Sequence, residues 1–270
     1  MSMFWNEKIN VHITRIHSTY KVDMFLVEGE KSAILIDTGY GIGNLKEYVD
    51  TLTALPYEVI LTHGHVDHAG GAAAFKKVYL AQKDWELERK HTEEKFRKEF
   101  AEMLSGTKVE LADLCKQRSE TYTPLEDGMI FDLGNLTLEV ISCPGHTPGC
   151  VCVLIKELKI LILGDACNSK SFFFFPEALG IAEYGKNLKK LLERKGEFEQ
   201  VLFFHPDNFG NKGYIIDENL EVCKEIEAGK DDHIPVSMLG YDLFIAKKID
   251  GEDHRIDGKY ANIYYSADKV

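Results

Sequence analysis

Between positions 63 and 68 the chain reads His63-Gly64-His65-Val66-Asp67-His68, three imidazoles and a carboxylate in six residues. Imidazole is the commonest metal-binding side chain, and carboxylate oxygens serve the same borderline divalent ions. His63 and His65 flank a glycine that is expected to let the backbone turn tightly, so that both rings reach one ion. Asp67 and His68 follow at once and can face a second ion beside the first. The plainer alternative is a polar turn between a strand and a helix, with Asp67 as the N-cap. One histidine in such a turn would be ordinary; three with an aspartate are not.

Four donors do not complete two sites. Three more candidates stand later in the chain, each just after an apolar run: His146 in Pro144-Gly145-His146-Thr147-Pro148, Asp165 in Gly164-Asp165, and His205 in Phe204-His205-Pro206. Singly, each reads as a turn or cap residue. Together they place every donor on the same kind of strand end, which is what a rigid metal-holding rim requires.

The elements that would position them can be read from periodicity. Strands are expected over 10–17, 21–28 and 32–37, then a helix over 43–52 with Leu45, Tyr48, Val49 and Leu52 on one face. A short buried strand over 58–61 delivers the histidine run, a small-residue helical stretch follows over 69–76, and another strand over 78–81. Residues 84–119 change character, rich in Glu, Lys and Arg with scattered apolar residues. They read as two helices broken near Ser105-Gly106-Thr107, a solvated insertion that also has the length to cover one side of an active site. Strands resume over 129–133 and 136–142, pair over 150–155 and 159–163, and recur over 200–204, 242–248 and 261–265, with helices over 183–194 and 218–228. Strands and helices do not alternate regularly, so a simple βαβ wind is disfavoured.

The run His63-Gly64-His65-Val66-Asp67-His68 resembles the HxHxDH signature of the metallo-β-lactamase-fold hydrolases. Pro144-Gly145-His146-Thr147-Pro148-Gly149, Gly164-Asp165 and Phe204-His205-Pro206 resemble that superfamily's later motifs in the same order, and Asp37-Thr38-Gly39 its early turn. The resemblance runs from about residue 10 to 210. It implies an α/β fold, a four-layer αββα sandwich in a single domain over 1–270 with the helical insertion at about 84–120. It also implies two divalent metal ions. One would sit on His63, His65 and His146, the other on Asp67, His68 and His205, with Asp165 bridging and Asp37 orienting ligands from behind. An all-histidine-and-carboxylate set suits zinc, with iron or manganese as alternatives.

The implied activity is hydrolysis by a hydroxide bridging the metals, with Asp67 also carrying a proton to the leaving group. Asp165 stands where some lactamase subclasses have cysteine, and Cys167 does not match that slot, so the resemblance is to branches outside the true lactamases. His65 stands where diiron oxygen-reducing relatives have glutamate, which disfavours redox chemistry. A small ester, thioester or lactone is the expected substrate. No match to a glutathione-binding C-terminal domain follows His205, and the nearest tyrosine after Asp165 is Tyr184, nineteen residues on, which departs from the lactonase pattern of a tyrosine shortly after the bridging aspartate. A phosphodiester or sulfate-ester hydrolase is the second reading, and a metal-binding sensor or binding module the non-enzymatic one. The run Phe172-Phe173-Phe174-Phe175 cannot all face one core; it is either a buried anchor or part of an apolar substrate pocket.

Bulk properties set the outer bounds. A chain of 270 residues with 44% hydrophobic content can bury a sizeable core, and a formal net charge of −12 opposes non-specific contact with nucleic acid. The six cysteines form no CxxC pair and are expected as buried or half-buried thiols rather than a disulfide framework. The first residues lack the apolar core of a signal peptide, and runs such as 158–163 are too short to span a bilayer. The expectation is a cytoplasmic protein acting on a small molecule, without nucleic-acid or membrane partner. Edge strands near the C-terminus and the aromatic run would suit a homodimer, which nothing in the sequence demands.

Overall fold

The computed structural model describes residues 3–205 and 213–270. They form two compact units, one of residues up to 140 together with 204–205, the other of 141–203 together with 213–270. Pro206, part of the last motif, lies outside the described residues.

The first unit is built on a seven-stranded sheet whose spatial order follows the chain: β1 (Phe4–Lys8), β2 (Ile13–Ser18), β3 (Asp23–Glu28), β4 (Ala33–Ile36), β5 (Tyr57–Ile60), β6 (Val78–Leu80) and β7 (Thr123–Pro124). The first four run antiparallel and the last four parallel. β1 is absent from the sequence reading because only Phe4 of its five residues is buried, so an edge strand leaves no alternation to see. β4 is buried at every position, as a central strand covered on both faces should be.

Parallel strands need a crossover, and α1 (Leu45–Leu52) supplies the one between β4 and β5. Asn44 caps it by accepting from the Glu47 amide at 3.1 Å, while its own amide donates to the Glu47 carboxylate at 2.9 Å. Leu45 and Val49 turn into a core with Ile16, Met24, Leu35 and Val59. The register matters for function. Ile36 pairs with Ile60, and Ile60 with Tyr79, so β4, β5 and β6 end level with one another. The residues that follow them, Asp37, Thr62-His63 and Asp84, therefore leave the sheet at one edge.

After β5 the chain forms only one turn of helix, α2 (Val66–Ala69), and a separate 3₁₀ turn at Ala72–Ala74. The acidic-basic insertion holds two helices, α3 (Trp85–His91) and α4 (Glu94–Ser105), but the break between them falls at Thr92-Glu93, not near Ser105. Gly106, in the left-handed region at φ +67°, ends α4, and only a 3₁₀ turn at Leu111–Asp113 follows. Nor is the insertion merely solvated: Glu88, Thr92, Arg97, Ala101 and Val109 are buried. The hairpin of β8 (Ile130–Asp132) and β9 (Thr137–Ser142) closes this part of the chain.

In the second unit β10 (Val151–Ile155) and β11 (Ile160–Ile162) pair antiparallel, and β11 runs parallel to the later β13 (Gln200–Leu202). A four-stranded sheet has the order β12 (Lys170–Phe173), β16 (Asn262–Tyr265), β15 (Tyr241–Ile245), β14 (Ile234–Met238). β12 and β14 are additions to the strands read from sequence. Helices α5 (Ile181–Glu193) and α6 (Tyr214–Glu227) share a core with Phe173, Ile263 and Tyr265 of that sheet. All six cysteines are free thiols; five are buried and Cys115 is half-buried, as expected. Among the described residues no helix is long and apolar enough to cross a membrane.

Candidate metal centre

Of the seven expected ligands the first unit holds five: His63, His65, Asp67, His68 and His205. His63 and His68 are fully buried, His65 and Asp67 nearly so, and His205 is half-buried. The short helix α2 aims Asp67 and His68 the same way. The cap position of α2 is His65, so Asp67 is not the N-cap; it lies in the first turn with its carboxylate turned to the imidazoles. Asp67 Oδ2 lies 3.5 Å from His68 Nε2 and 3.5 Å from His205 Nε2, and the two nitrogens are 3.4 Å apart. A tetrahedral ion with bonds of about 2.1 Å spaces its ligand atoms by about 3.4 Å. The three atoms thus already form one face of such a tetrahedron, and the residues fit a divalent metal. The rings of His63 and His65 lie 4.8 Å apart, and those of His63 and His68 4.2 Å apart.

What fixes these rings is a buried aspartate at the end of β4. Asp37 accepts from the Thr62 amide at 2.7 Å and from the Thr62 hydroxyl at 2.8 Å, and its Oδ2 lies 2.7 Å from His68 Nδ1. Burial pushes its carboxyl upward, while His68 and the Thr62 donors pull it back down. With the Thr62 proton committed to Asp37, the Thr62 oxygen accepts from His63 Nδ1, 3.1 Å away. Both rings then carry hydrogen on Nδ1 and a lone pair on Nε2, the tautomer a metal requires. Asp37, expected from the resemblance to orient ligands, contacts His68 directly and reaches His63 through Thr62.

His205 is held from its neighbour. The Phe204 carbonyl accepts from the Asp23 amide at 2.7 Å at the start of β3, and the Phe204 ring packs edge-on against Phe25 and His68, at 5.0 and 5.3 Å. Gly64 has a different reason from the tight turn expected of it, since it is not among the glycines with positive φ. A Cβ there would stand 2.8 Å from the Asp84 carbonyl oxygen and 3.1 Å from the Glu88 amide nitrogen. The Gly64 amide meanwhile donates to the Asp84 carboxylate at 2.9 Å. Asp84, Thr62 and His91 are positions that sequence reasoning passed over. His91, at the end of α3, stacks on His65 with centroids 5.0 Å apart. A lone histidine in a charged helix gives no signal of this, and Asp84, at the end of a 3₁₀ turn (Gln82–Asp84) after β6, gives little more.

The second unit holds the other two, His146 and Asp165. Asp165 follows β11 after Gly164, at φ +57°. Its Oδ1 accepts from Asn168 at 3.0 Å, and its Oδ2 lies 3.6 Å from His146 Nε2. The Phe172 carbonyl lies 3.0 Å from His146 Nδ1 and takes its hydrogen, so this ring too presents Nε2 with its lone pair. Cys167 is buried in the apolar core and is not part of this pair.

The sequence model of the family described as the metallo-beta-lactamase superfamily matches residues 19–200. The chain belongs to the metallo-beta-lactamase superfamily. Within that superfamily it is similar to an acyl-coenzyme A thioesterase, MBLAC2, of Bos taurus, 29% identical over 212 residues, which cover 70% of this chain and 75% of the relative. It is also similar to the hydroxyacylglutathione hydrolase GloC of Haemophilus influenzae, 24% identical over 58% of this chain and 71% of the relative. The solved metallo-beta-lactamase from Pontibacter korlensis superposes with a TM-score of 0.56 at 20% identity, covering 82% of this chain and 99% of that one. At that identity the likeness shows the fold, which is the α/β fold of the metallo-beta-lactamases.

Proposed function

We propose that this metallo-beta-lactamase relative is a metal-dependent hydrolase with a dinuclear centre that cleaves small esters, thioesters first among them. The observation that carries the reading is the near-equilateral triangle of Asp67 Oδ2, His68 Nε2 and His205 Nε2, at 3.4 to 3.5 Å. In this reading His63, His65, His146 and Asp165 would supply the remaining ligands. The names of the thioesterase and hydroxyacylglutathione hydrolase relatives support the thioester class. A donor set of imidazoles and carboxylates supports zinc, with iron or manganese as alternatives.

Bound divalent ions supply Lewis acidity, which makes water nucleophilic near neutral pH and offsets charge developing on the carbonyl oxygen. The chain's own residues do the rest. Asp37, through His68 directly and His63 by way of Thr62, fixes the rings before substrate arrives, so that no reorientation is needed during the reaction. The Phe172 carbonyl does the same for His146. Asp67 moves a proton to the departing sulfur or oxygen. In thioester hydrolysis the acyl carbon–sulfur bond breaks, a carbon–oxygen bond to water forms, and the products are a carboxylic acid and a thiol. The net charge of −12 supports a small-molecule substrate over nucleic acid.

Elemental analysis of the purified protein tests the centre: about two metal equivalents are expected, and activity should vanish with a chelator and return with zinc. Asp165→Ala should lose metal and turnover together. A panel of thioesters, lactones and phosphodiesters tests the class. Activity indifferent to chelation would end the reading, and phosphodiester turnover far above any carboxylic ester or thioester would move it to the other branch.

A further inference from the structure

The aromatic run Phe172–Phe175 splits. Phe173 is fully buried and packs against the tilted ring of Tyr184 of α5 at 4.3 Å, so it belongs to the helix-side core. Phe172 points from the other face of β12, where Tyr264, Ile245 and Ile234 continue the row across β16, β15 and β14. Val236, Met238 and Leu243 lie on the same face of the last two strands. This second face carries its own apolar cluster, centred on Phe174, Leu243, Ile245 and Tyr264. Among the described residues that cluster includes no helical side chain, and Phe172, Phe175, Val236 and Met238 remain half-buried at its margin.

This apolar face is continuous with His146. The Phe175 ring meets the His146 ring edge-on at 6.5 Å, and the Phe172 carbonyl is the one that orients it. From Phe175 the aromatic surface runs to Tyr241 at 5.9 Å, and Phe174 touches both, at 4.4 and 5.4 Å. Tyr241 is 36% exposed and pairs with Met238 beside the β14–β15 turn, so the surface reaches solvent there. An apolar strip that begins at an imidazole of the proposed centre and ends at solvent suits an extended apolar chain attached to the scissile bond.

We propose that Phe172, Phe175, Tyr241 and Met238 form the acyl-chain subsite, so that the preferred substrate is a thioester of an apolar acyl group several carbons long. This rests on the hydrolase reading above. Each methylene that settles on the strip should raise kcat/KM about fourfold, equivalent to ~0.8 kcal/mol of apolar burial.

Two measurements separate the subsite from the reaction. The first is kcat/KM for acyl thioesters from acetyl to dodecanoyl, in the wild type, Tyr241→Ala and the milder Phe175→Leu. The second is the fluorescence of dansyl-undecanoate titrated into chelator-treated protein, which needs no turnover. The wild type should bind the probe, both variants should bind it more weakly, and their chain-length profiles should flatten, with about a tenfold loss for dodecanoyl in Tyr241→Ala. If no thioester is cleaved yet the probe still binds and both variants weaken it, the hydrolase reading fails and the subsite stands. If the wild type does not bind the probe, or neither variant changes binding or slope, the subsite is overturned even where thioesters are cleaved.

Discussion

Asp37 Oδ2 and His68 Nδ1 lie 2.7 Å apart, both side chains wholly out of solvent. This contact settles which nitrogen of His68 faces Asp67 and His205, and Thr62 extends the same control to His63. Asp37→Asn keeps the size but turns one of its oxygens into a donor. It should lower zinc affinity by about 10- to 100-fold, the usual cost of losing such a partner. Competition with a chromogenic chelator measures it. Unchanged affinity in a folded variant would remove Asp37 from the orienting role.

Gly64→Ala probes the packing behind the histidines. The added methyl would meet the Asp84 backbone at 2.8 Å, and backbone cannot swing aside as a long side chain can. A loss of about 1–3 kcal/mol is expected from overpacking. It should appear as a lower urea midpoint at unchanged slope. Metal affinity should fall with it, because any relaxation moves His63 or His65. An Ala variant as stable as the wild type would mean that the α3 end shifts freely.

Much of this was legible before the structure, for a physical reason. Ligands must leave rigid strand ends, and a buried strand followed at once by His or Asp is visible in a single sequence. Asp37, His63, Asp165 and His205 all have that signature. Gly64 was marked by its place between two candidate ligands, but the cause assigned to it was local turning, whereas the structure shows close contact with Asp84, twenty residues away. His91 was lost for the same reason: a histidine in a charged helix gains its role from His65, remote in sequence. β14 was lost because the proline inside Ile-Pro-Val-Ser-Met argues against a strand, although it pairs with the strand that follows it, β15. The insertion was misjudged because its charged composition conceals Arg97, whose surroundings only the tertiary structure supplies.

Arg97 is fully buried, and its guanidinium donates to the carbonyls of Gly70, at 2.8 Å, and of Cys115. It ties α4 to the end of the α2 segment that carries Asp67 and His68. Arg97→Met fills most of the space but leaves these carbonyls without their donor. A loss of about 2–3 kcal/mol is expected for charge-assisted bonds. Protease digestion should then cut first within 93–121, ahead of the rest of the chain. Even cleavage across the chain, at unchanged stability, would mean that the arginine does not anchor the insertion.

Glu88 gives a pH signature distinct from that of the candidate metal ligands. Burial in α3 pushes its carboxyl above the ordinary value of 4.5, with Arg118 and Arg89 among the groups pulling it part of the way back. A carboxyl raised by folding binds its proton more tightly in the folded state than in the unfolded one. Its contribution to stability is therefore complete below pH 4.5 and is lost as pH rises through the higher folded value. Glu88→Gln removes that loss. The melting temperature of the variant relative to the wild type should therefore climb as pH rises from the ordinary carboxylate range, then level off once the wild-type carboxyl is fully ionised. Thermal melts at a series of pH values on chelator-treated protein, with metal effects thus set aside, read this difference directly. A difference that stays flat, or that falls with rising pH, would show that Glu88 ionises in the fold as easily as in the unfolded chain.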